Sequence, residues 1–236
     1  LTDLGLNGKI CRLGAMKNIR DMVANELRRG AKTIVAVGND KTVNEVINAL
    51  AGESSTGNSD TAIPLGIIPL FQEENEIAAA LGIGLLEEAC EILAGRRIEK
   101  LDLGAANGRF FLSSASISGK GTVLEMSKDY SVEVLEEGVI KIVNLRAGDS
   151  AAFPPAAFNP QDGALELFIQ TKEKKKFLFK NSGKTNQSIF PFKKLTIFNA
   201  KNAPLILDGT ITIPTPAEIS VVKQRLNVIV GKGRKF

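Results

Sequence analysis

The chain has 236 residues, 44% apolar and 24% charged, with a formal charge of +4. That is enough for one large or two small domains with a buried core. Histidine is absent and cysteine occurs only as Cys11 and Cys90. This excludes Ser-His-Asp and Cys-His nucleophilic sites, histidine-ligated zinc, a four-cysteine metal site and a disulfide framework. A reducing, cytoplasmic setting is therefore expected. The mild positive charge permits an anionic partner without demanding one, and nucleic acid is not expected. The longest apolar run, 63–71, holds two prolines and a glycine and is too short to span a bilayer. The chain opens on Leu1 and has no signal-peptide pattern, so a further segment upstream is expected.

Between 17 and 29, Ile19, Met22, Val23 and Leu27 recur at helical spacing, with Gly30 placed to end the helix. Residues 33–37 form a β-branched run that reads as a buried parallel strand. A turn, Gly38-Asn39-Asp40-Lys41, leads to a helix predicted to start at Thr42, where Thr42 and Glu45 have capping-box spacing. A polar loop over 52–60 precedes a second buried strand at 65–68. Helices are predicted over 75–81 and 86–93, the latter closed by Gly95. This alternation predicts a parallel sheet with crossover helices. After Arg96 the period becomes two. Strands are predicted at 109–112, 131–135, 139–145, 165–171, 195–198, 219–222 and 226–230, with Asn107-Gly108, Asp162-Gly163 and Asp208-Gly209 as turn signals. The expected architecture is an α/β domain over 1–96 followed by a β-sandwich domain over 97–236.

Several motifs recur in a known order. Val35-Ala36-Val37-Gly38-Asn39-Asp40-Lys41-Thr42-Val43-Asn44-Glu45 resembles the Gly-Gly-Asp-Gly-Thr-x-Asn-Glu signature of the diacylglycerol kinase catalytic domain family, which includes sphingosine kinases and bacterial lipid kinases. Leu65-Gly66-Ile67-Ile68-Pro69-Leu70, followed by Asn75-Glu76-Ile77-Ala78, is similar to that family's Pro-Leu-Gly-Thr-Gly-Asn-Asp-Phe-Ala segment. Leu101-Asp102-Leu103-Gly104, Asp162-Gly163-Ala164-Leu165-Glu166 and Leu207-Asp208-Gly209-Thr210 resemble its later motifs. Together they span almost the whole chain.

The resemblance implies an α/β nucleotide-binding domain of the kind shared by NAD kinases and diacylglycerol kinases, joined to a β-sandwich. ATP-dependent phosphorylation of a lipid hydroxyl, or of a small alcohol, would occur between them. It places Gly38, Asn39, Asp40, Lys41, Thr42, Asn44, Glu45 and Asn75 at ATP. It places Asp40 at Mg²⁺, Asp162 at a structural metal, and Asp208 with Thr210 at the catalytic position. The chemistry explains these residue types. Glycine turns and helix N-termini admit phosphate, a carboxylate reaches the bridging Mg²⁺, and a second carboxylate takes the hydroxyl proton.

The sequence departs from that pattern at the chemistry. Asn39 and Lys41 stand where the signature has glycine, and Phe71-Gln72-Glu73-Glu74 replaces Gly-Thr-Gly. Thr210 replaces the family's glutamate, and a threonine hydroxyl cannot accept a proton near neutral pH. The family's first strand, with its Asn-Pro-x-Ser-Gly loop, has no match. Two readings stay open: an active kinase with an unusual site, or an impaired member that binds a ligand, lipid surface or protein partner without phosphoryl transfer. The losses favour impairment, and Glu218 and Asp149 are candidate substitute carboxylates. Thr42 with Glu45 reads equally as a helix cap, and Asp40, Asp162 and Asp208 as turn formers. Glu73, Glu74 and Glu76 are expected to fill their own anion site, a glutamate capping the N–H groups near Asn75 and pairing with Lys41. The basic runs 172–176 and 232–235 suggest weak, salt-sensitive peripheral contact with anionic lipid. A homo-oligomer is allowed.

Overall fold

The structure, a computed structural model, describes residues 4–14, 18–53, 63–70, 74–127, 130–148, 158–171 and 186–236. Helix α1 (Ile19–Arg28) starts at Asn18, whose side chain accepts the Arg20 N–H at 2.9 Å. It ends as expected, with Gly30 at φ +85° just past the C-cap Arg29. Strand β1 (Ile34–Gly38) and β2 (Leu65–Pro69) pair in parallel, joined through α2 (Asp40–Glu53). Two helices follow, α3 (Glu76–Ala80) and α4 (Leu86–Gly95). The stop of α4 corrects the expectation at Gly95. Gly95 is the last helical residue, and Arg96 takes the left-handed cap at φ +49°. Its guanidinium reaches the Thr33 hydroxyl at 2.8 Å, tying the cap to the start of β1.

The remainder is strands: β3 (Ile98–Ala106), β4 (Arg109–Phe111), β5 (Ser114–Ser118), β6 (Thr122–Ser127), β7 (Tyr130–Val134), β8 (Gly138–Val143), β9 (Leu165–Thr171), β10 (Asn186–Phe192), β11 (Lys194–Asn199), β12 (Leu205–Leu207), β13 (Ile211–Ile213) and β14 (Ala217–Ile229). One sheet runs β1-β2-β14-β11-β6-β7, with β3 on β14 and β4 on β3. The other runs β10-β9-β8-β5-β12-β13. Their inner faces meet in one apolar core. Ala106, Phe111, Leu124, Ile197 and Ile219 of the first sheet pack on Ile117, Ile140, Leu165, Leu167 and Leu207 of the second. That is the expected sandwich. Phe111 is fully buried and lies opposite Gly104 on β3, where a Cβ would come within 2.0 Å of its ring. Glycine is the one residue that leaves room there.

Where the sequence pattern suggests two strands, at 219–222 and 226–230, the structure has one. β14 pairs antiparallel with β3 along its length, with a register break between Val222 and Leu226. Its far end lies parallel to β2 through Val228 and Leu65. The first core therefore contains Leu226, Val228 and Val230 beside Val43, Ile47, Leu65, Ile67 and Leu81, together with Leu101 and Leu103 of β3. The same strand contributes Ala217 and Ile219 to the sandwich core. The polar triplet Lys223-Gln224-Arg225 that interrupts the pattern is a bulge, with Gln224 at φ +48°.

Asp102 holds that bulge. It is fully buried, and its carboxylate accepts the Gln224 N–H at 2.7 Å and the Gly163 N–H at 2.6 Å. Charge-assisted bonds of this type are the strong ones, and losing the carboxylate leaves the buried Gly163 N–H unmet and frees the bulge amide. Asp102→Ala should therefore destabilise the fold by about 2–3 kcal/mol. A urea midpoint shift equivalent to less than ~1 kcal/mol would show that the bulge holds itself.

Candidate active site

Two turns face each other across the groove between the lobes. The first lies between β1 and α2. Gly38 has φ +153°, and a Cβ there would meet the Thr42 hydroxyl at 2.8 Å. The helix begins two residues earlier than the expected Thr42. Asn39 is its cap, because the Asn39 side-chain oxygen accepts the Thr42 N–H at 3.3 Å and the Thr42 hydroxyl at 3.4 Å. The capping-box reading of Thr42 with Glu45 is thereby corrected: Glu45 is exposed on the first turns of the helix, and Asn39 takes the capping role.

Asp40, the first residue of α2, points at the next turn. Its carboxylate accepts the N–H groups of Glu76 at 2.9 Å and Ile77 at 3.2 Å, capping α3. Among the described residues, the internal anion at that helix start is thus Asp40, where a glutamate was expected. Glu74 bonds Asn39 Nδ2 at 3.0 Å, whereas Lys41 is exposed and makes no ion pair with the described residues. Glu73, like Phe71, lies outside the described residues. Asn75 is buried at the N-cap position of α3, but its side chain does not cap.

The second turn joins β12 to β13. Asp208 at φ +44° and Gly209 at φ +67° form the mirror-image turn that Asp-Gly favours, closed by the Thr210 N–H on the Leu207 carbonyl at 3.0 Å. The turn-former reading of Asp208-Gly209 therefore holds. The Asp208 carboxylate collects three consecutive amides, Leu112 at 2.9 Å and Ser113 and Ser114 at 2.8 Å each. The hydroxyl of Thr210 accepts from Asn44 Nδ2 at 3.1 Å. Asn44 and Asn48 are buried one turn apart on α2. Asn48 grips the Phe110 backbone at both its carbonyl and its N–H, each at 2.9 Å, and also donates to the Asn44 carbonyl. Helix α2 is therefore fastened to the second lobe.

A pocket of about 130 Å³ lies between the turns. Asp40, Glu76, Ser114, Ser116, Lys141 and Asp208 are among the residues lining it. Burial pushes the Asp40 carboxyl up to about 6, against its two N–H partners, and the Glu76 and Glu74 charges add to the rise. Burial likewise pushes Asp208 up to about 6, opposed by its three amides and reinforced by the Asp40 charge. Glu218 does not line the pocket. It pairs with Lys194 at 3.1 Å on β14. Asp149 lies outside the described residues. The serines and Lys141 were not singled out from the sequence. Their signal was the alternation Ser114-Ala115-Ser116-Ile117-Ser118, which puts serine on the face away from the core.

Hard oxygen donors and phosphate oxygens suit Mg²⁺. Asp40 and Asp208 offer two such carboxylates in one pocket, both raised chiefly by burial, so a divalent cation fits this donor set. No group of three or more metal-type ligands occurs among the described residues. Asp162 is apart from the pocket. It accepts the Ala164 N–H at 2.9 Å in its own turn, and it is not part of a hairpin. Close by, Glu166 is buried, and burial together with the Asp162 charge pushes it up to about 7. The basic run 172–176 lies outside the described residues. The other, at 232–235, is docked: Arg234 pairs with Glu99 at 3.0 Å, and the Lys235 N–H bonds the Ala80 carbonyl at 2.9 Å. No described helix is long and apolar enough to cross a membrane.

Comparison with known proteins agrees with this geometry. Residues 5–106 match the family described as Diacylglycerol kinase catalytic domain. The chain is 39% identical over 100 residues, 41% of its length, to a Pseudomonas aeruginosa (strain UCBPP-PA14) protein named "Probable lipid kinase YegS-like". It is 35% identical over 99 residues to the "Diacylglycerol kinase" of Bacillus subtilis (strain 168). These matches span only 30% and 29% of the relatives' own lengths. Among solved structures, a diacylglycerol kinase from Bacillus anthracis strain Sterne superposes with a TM-score of 0.71 at 19% identity, covering 90% of this chain and 81% of that one. That likeness shows a shared fold across both lobes. The similarity to the diacylglycerol kinase catalytic domain extends over residues 5–106, and the shared fold extends over both lobes.

Proposed function

We propose that the chain carries the catalytic core of an ATP-dependent lipid kinase, transferring a phosphoryl group to a lipid or small-alcohol hydroxyl with impaired efficiency. The observation that carries this reading is the meeting of Asp40 from the α/β lobe and Asp208 from the sandwich lobe in one pocket. A cation held by the two would bring neutralising charge to the phosphates. Asp40 fixes the α3 turn, and the three amides on Asp208 fix the second wall. The acceptor hydroxyl enters from the side of Ser114, Ser116 and Lys141. The setting is proposed to be cytoplasmic and membrane-peripheral.

Impairment follows from Thr210. Its hydroxyl is bonded to Asn44 and cannot take a proton. A positioned general base commonly contributes ~10²–10⁴-fold, and transfer should be slow by about that factor. The test is radiolabelled ATP with diacylglycerol vesicles. Slow transfer that disappears in Asp40→Asn and rises in Thr210→Glu supports the reading. Transfer that is indifferent to both substitutions refutes it. Nucleotide binding with no transfer in any variant selects the non-catalytic alternative, for which Thr210 is the favouring residue.

The raised carboxyls give a second test. A carboxyl whose folded-state pKa exceeds its unfolded value stabilises below the unfolded pKa and loses that contribution as pH rises through the folded one. For Asp40 and Asp208 the window runs from about 4 to about 6. Over that window their contribution to thermal stability should fall, and Asp208→Asn should flatten the decline. Mg²⁺ should raise Tm at pH 7.5 and have little effect at pH 5, where the pair is protonated. Scanning fluorimetry across pH with and without Mg²⁺ measures this. An equal Mg²⁺ shift at both pH values would place the ion elsewhere.

A further inference from the structure

Among the described residues at the carboxyl ends of β1 and β2, the Asp40, Glu76 and Ile77 N–H groups and the Asn39 amide are occupied by the chain itself. Glu74 adopts φ +65°, a conformation glycine takes freely and glutamate rarely. Its carbonyl accepts the Asp40 N–H, the first amide of α2, at 2.9 Å. Its carboxylate accepts Asn39 Nδ2 at 3.0 Å. The Asp40 carboxylate in turn holds the Glu76 and Ile77 N–H groups. In open α/β sheets, ligands bind outside the carboxyl ends of the strands, and phosphate needs unspent N–H groups and room beside the backbone. At this point the chain supplies its own anion, strained backbone and side-chain bulk.

We propose that Glu74 is an autoinhibitory clasp: its carboxylate, held by Asn39, joins the β1–α2 and β2–α3 turns and stands in for a nucleotide phosphate. A polyphosphate must displace it to seat. The side chain is exposed, so the contact is a weak one that a competing ligand can break. Asp40, tied by two backbone amides, stays in place when the clasp opens. The proposal deepens the kinase reading and rests on it.

The experiment is calorimetric titration of the full chain with Mg-ATP, using the parent, Glu74→Gln and Glu74→Gly. Glu74→Gln keeps the shape and removes the charge. Glu74→Gly also frees Asn39 and relieves the left-handed residue. The expected result is at least fivefold tighter binding in Glu74→Gln and a larger gain in Glu74→Gly, with the gain in Glu74→Gln shrinking at high salt. Measurable and equal affinities in parent and Glu74→Gln would overturn the clasp and leave the kinase reading standing. No binding by any of the three at millimolar Mg-ATP would overturn both. If Glu74→Gly fails to fold, as judged by its melting profile, Glu74→Gln alone decides.

Discussion

One buried carboxylate allows a single strand to serve two cores. β14 must leave the sandwich and reach β2, and its register against β3 slips between Val222 and Leu226 on the way. A slip leaves backbone amides without ladder partners, and such amides need another acceptor. Asp102, on the facing strand, meets both the bulge amide and the amide of Gly163. The two lobes therefore share a strand, a core boundary and one electrostatic anchor. The pocket draws its lining from both of these joined lobes.

The pocket itself is assembled from turns that would be unremarkable alone. Gly38 through Asp40 is a strand-to-helix turn, and Asp208-Gly209 is a mirror-image hairpin turn. What makes them chemical is the burial of two carboxylates in one pocket. Each carboxylate is well supplied with amides and is still pushed up to about 6, because desolvation outweighs those bonds, with the Glu76 and Glu74 charges adding at Asp40 and the Asp40 charge adding at Asp208. Such a pair takes up protons as pH falls below about 6, and above that it suits a metal ion of the kind phosphoryl transfer uses.

Much of the architecture was legible in the residues. The change from helical to alternating periodicity at Arg96 located the start of the strand-rich region. The Asn107-Gly108 and Asp208-Gly209 signals became turns with both residues at positive φ. The legible part of the site was the order of its motifs, which placed Asp40 and Asp208 in one cleft. Less legible was anything depending on contacts far apart in sequence. Thr42 and Glu45 have the right spacing for a cap, but Asn39 outcompetes them because its side chain also bonds Glu74 across the turn. Gly95 looked like a stop, yet Arg96 accepts a left-handed backbone because its guanidinium finds Thr33. The polar triplet inside β14 read as a break, since nothing local announces that Asp102 will satisfy it. Ser114, Ser116 and Lys141 carried no motif, and only the pairing of β5 with β8 sets Ser116 beside Lys141.

The asparagine pair on α2 has a mechanical consequence. Asn48 makes three hydrogen bonds, two of them to Phe110, and Asn44 reaches Thr210. The helix that carries Asp40 at its tip behaves as a lever already pinned to the opposite wall. Swinging the lobes apart would break several buried polar contacts at once, whereas shifting a turn breaks one or two exposed ones. Access to this cleft is thus a matter of local loop rearrangement over a stiff chassis, in contrast to enzymes that clamp their substrates by closing two freely hinged bodies.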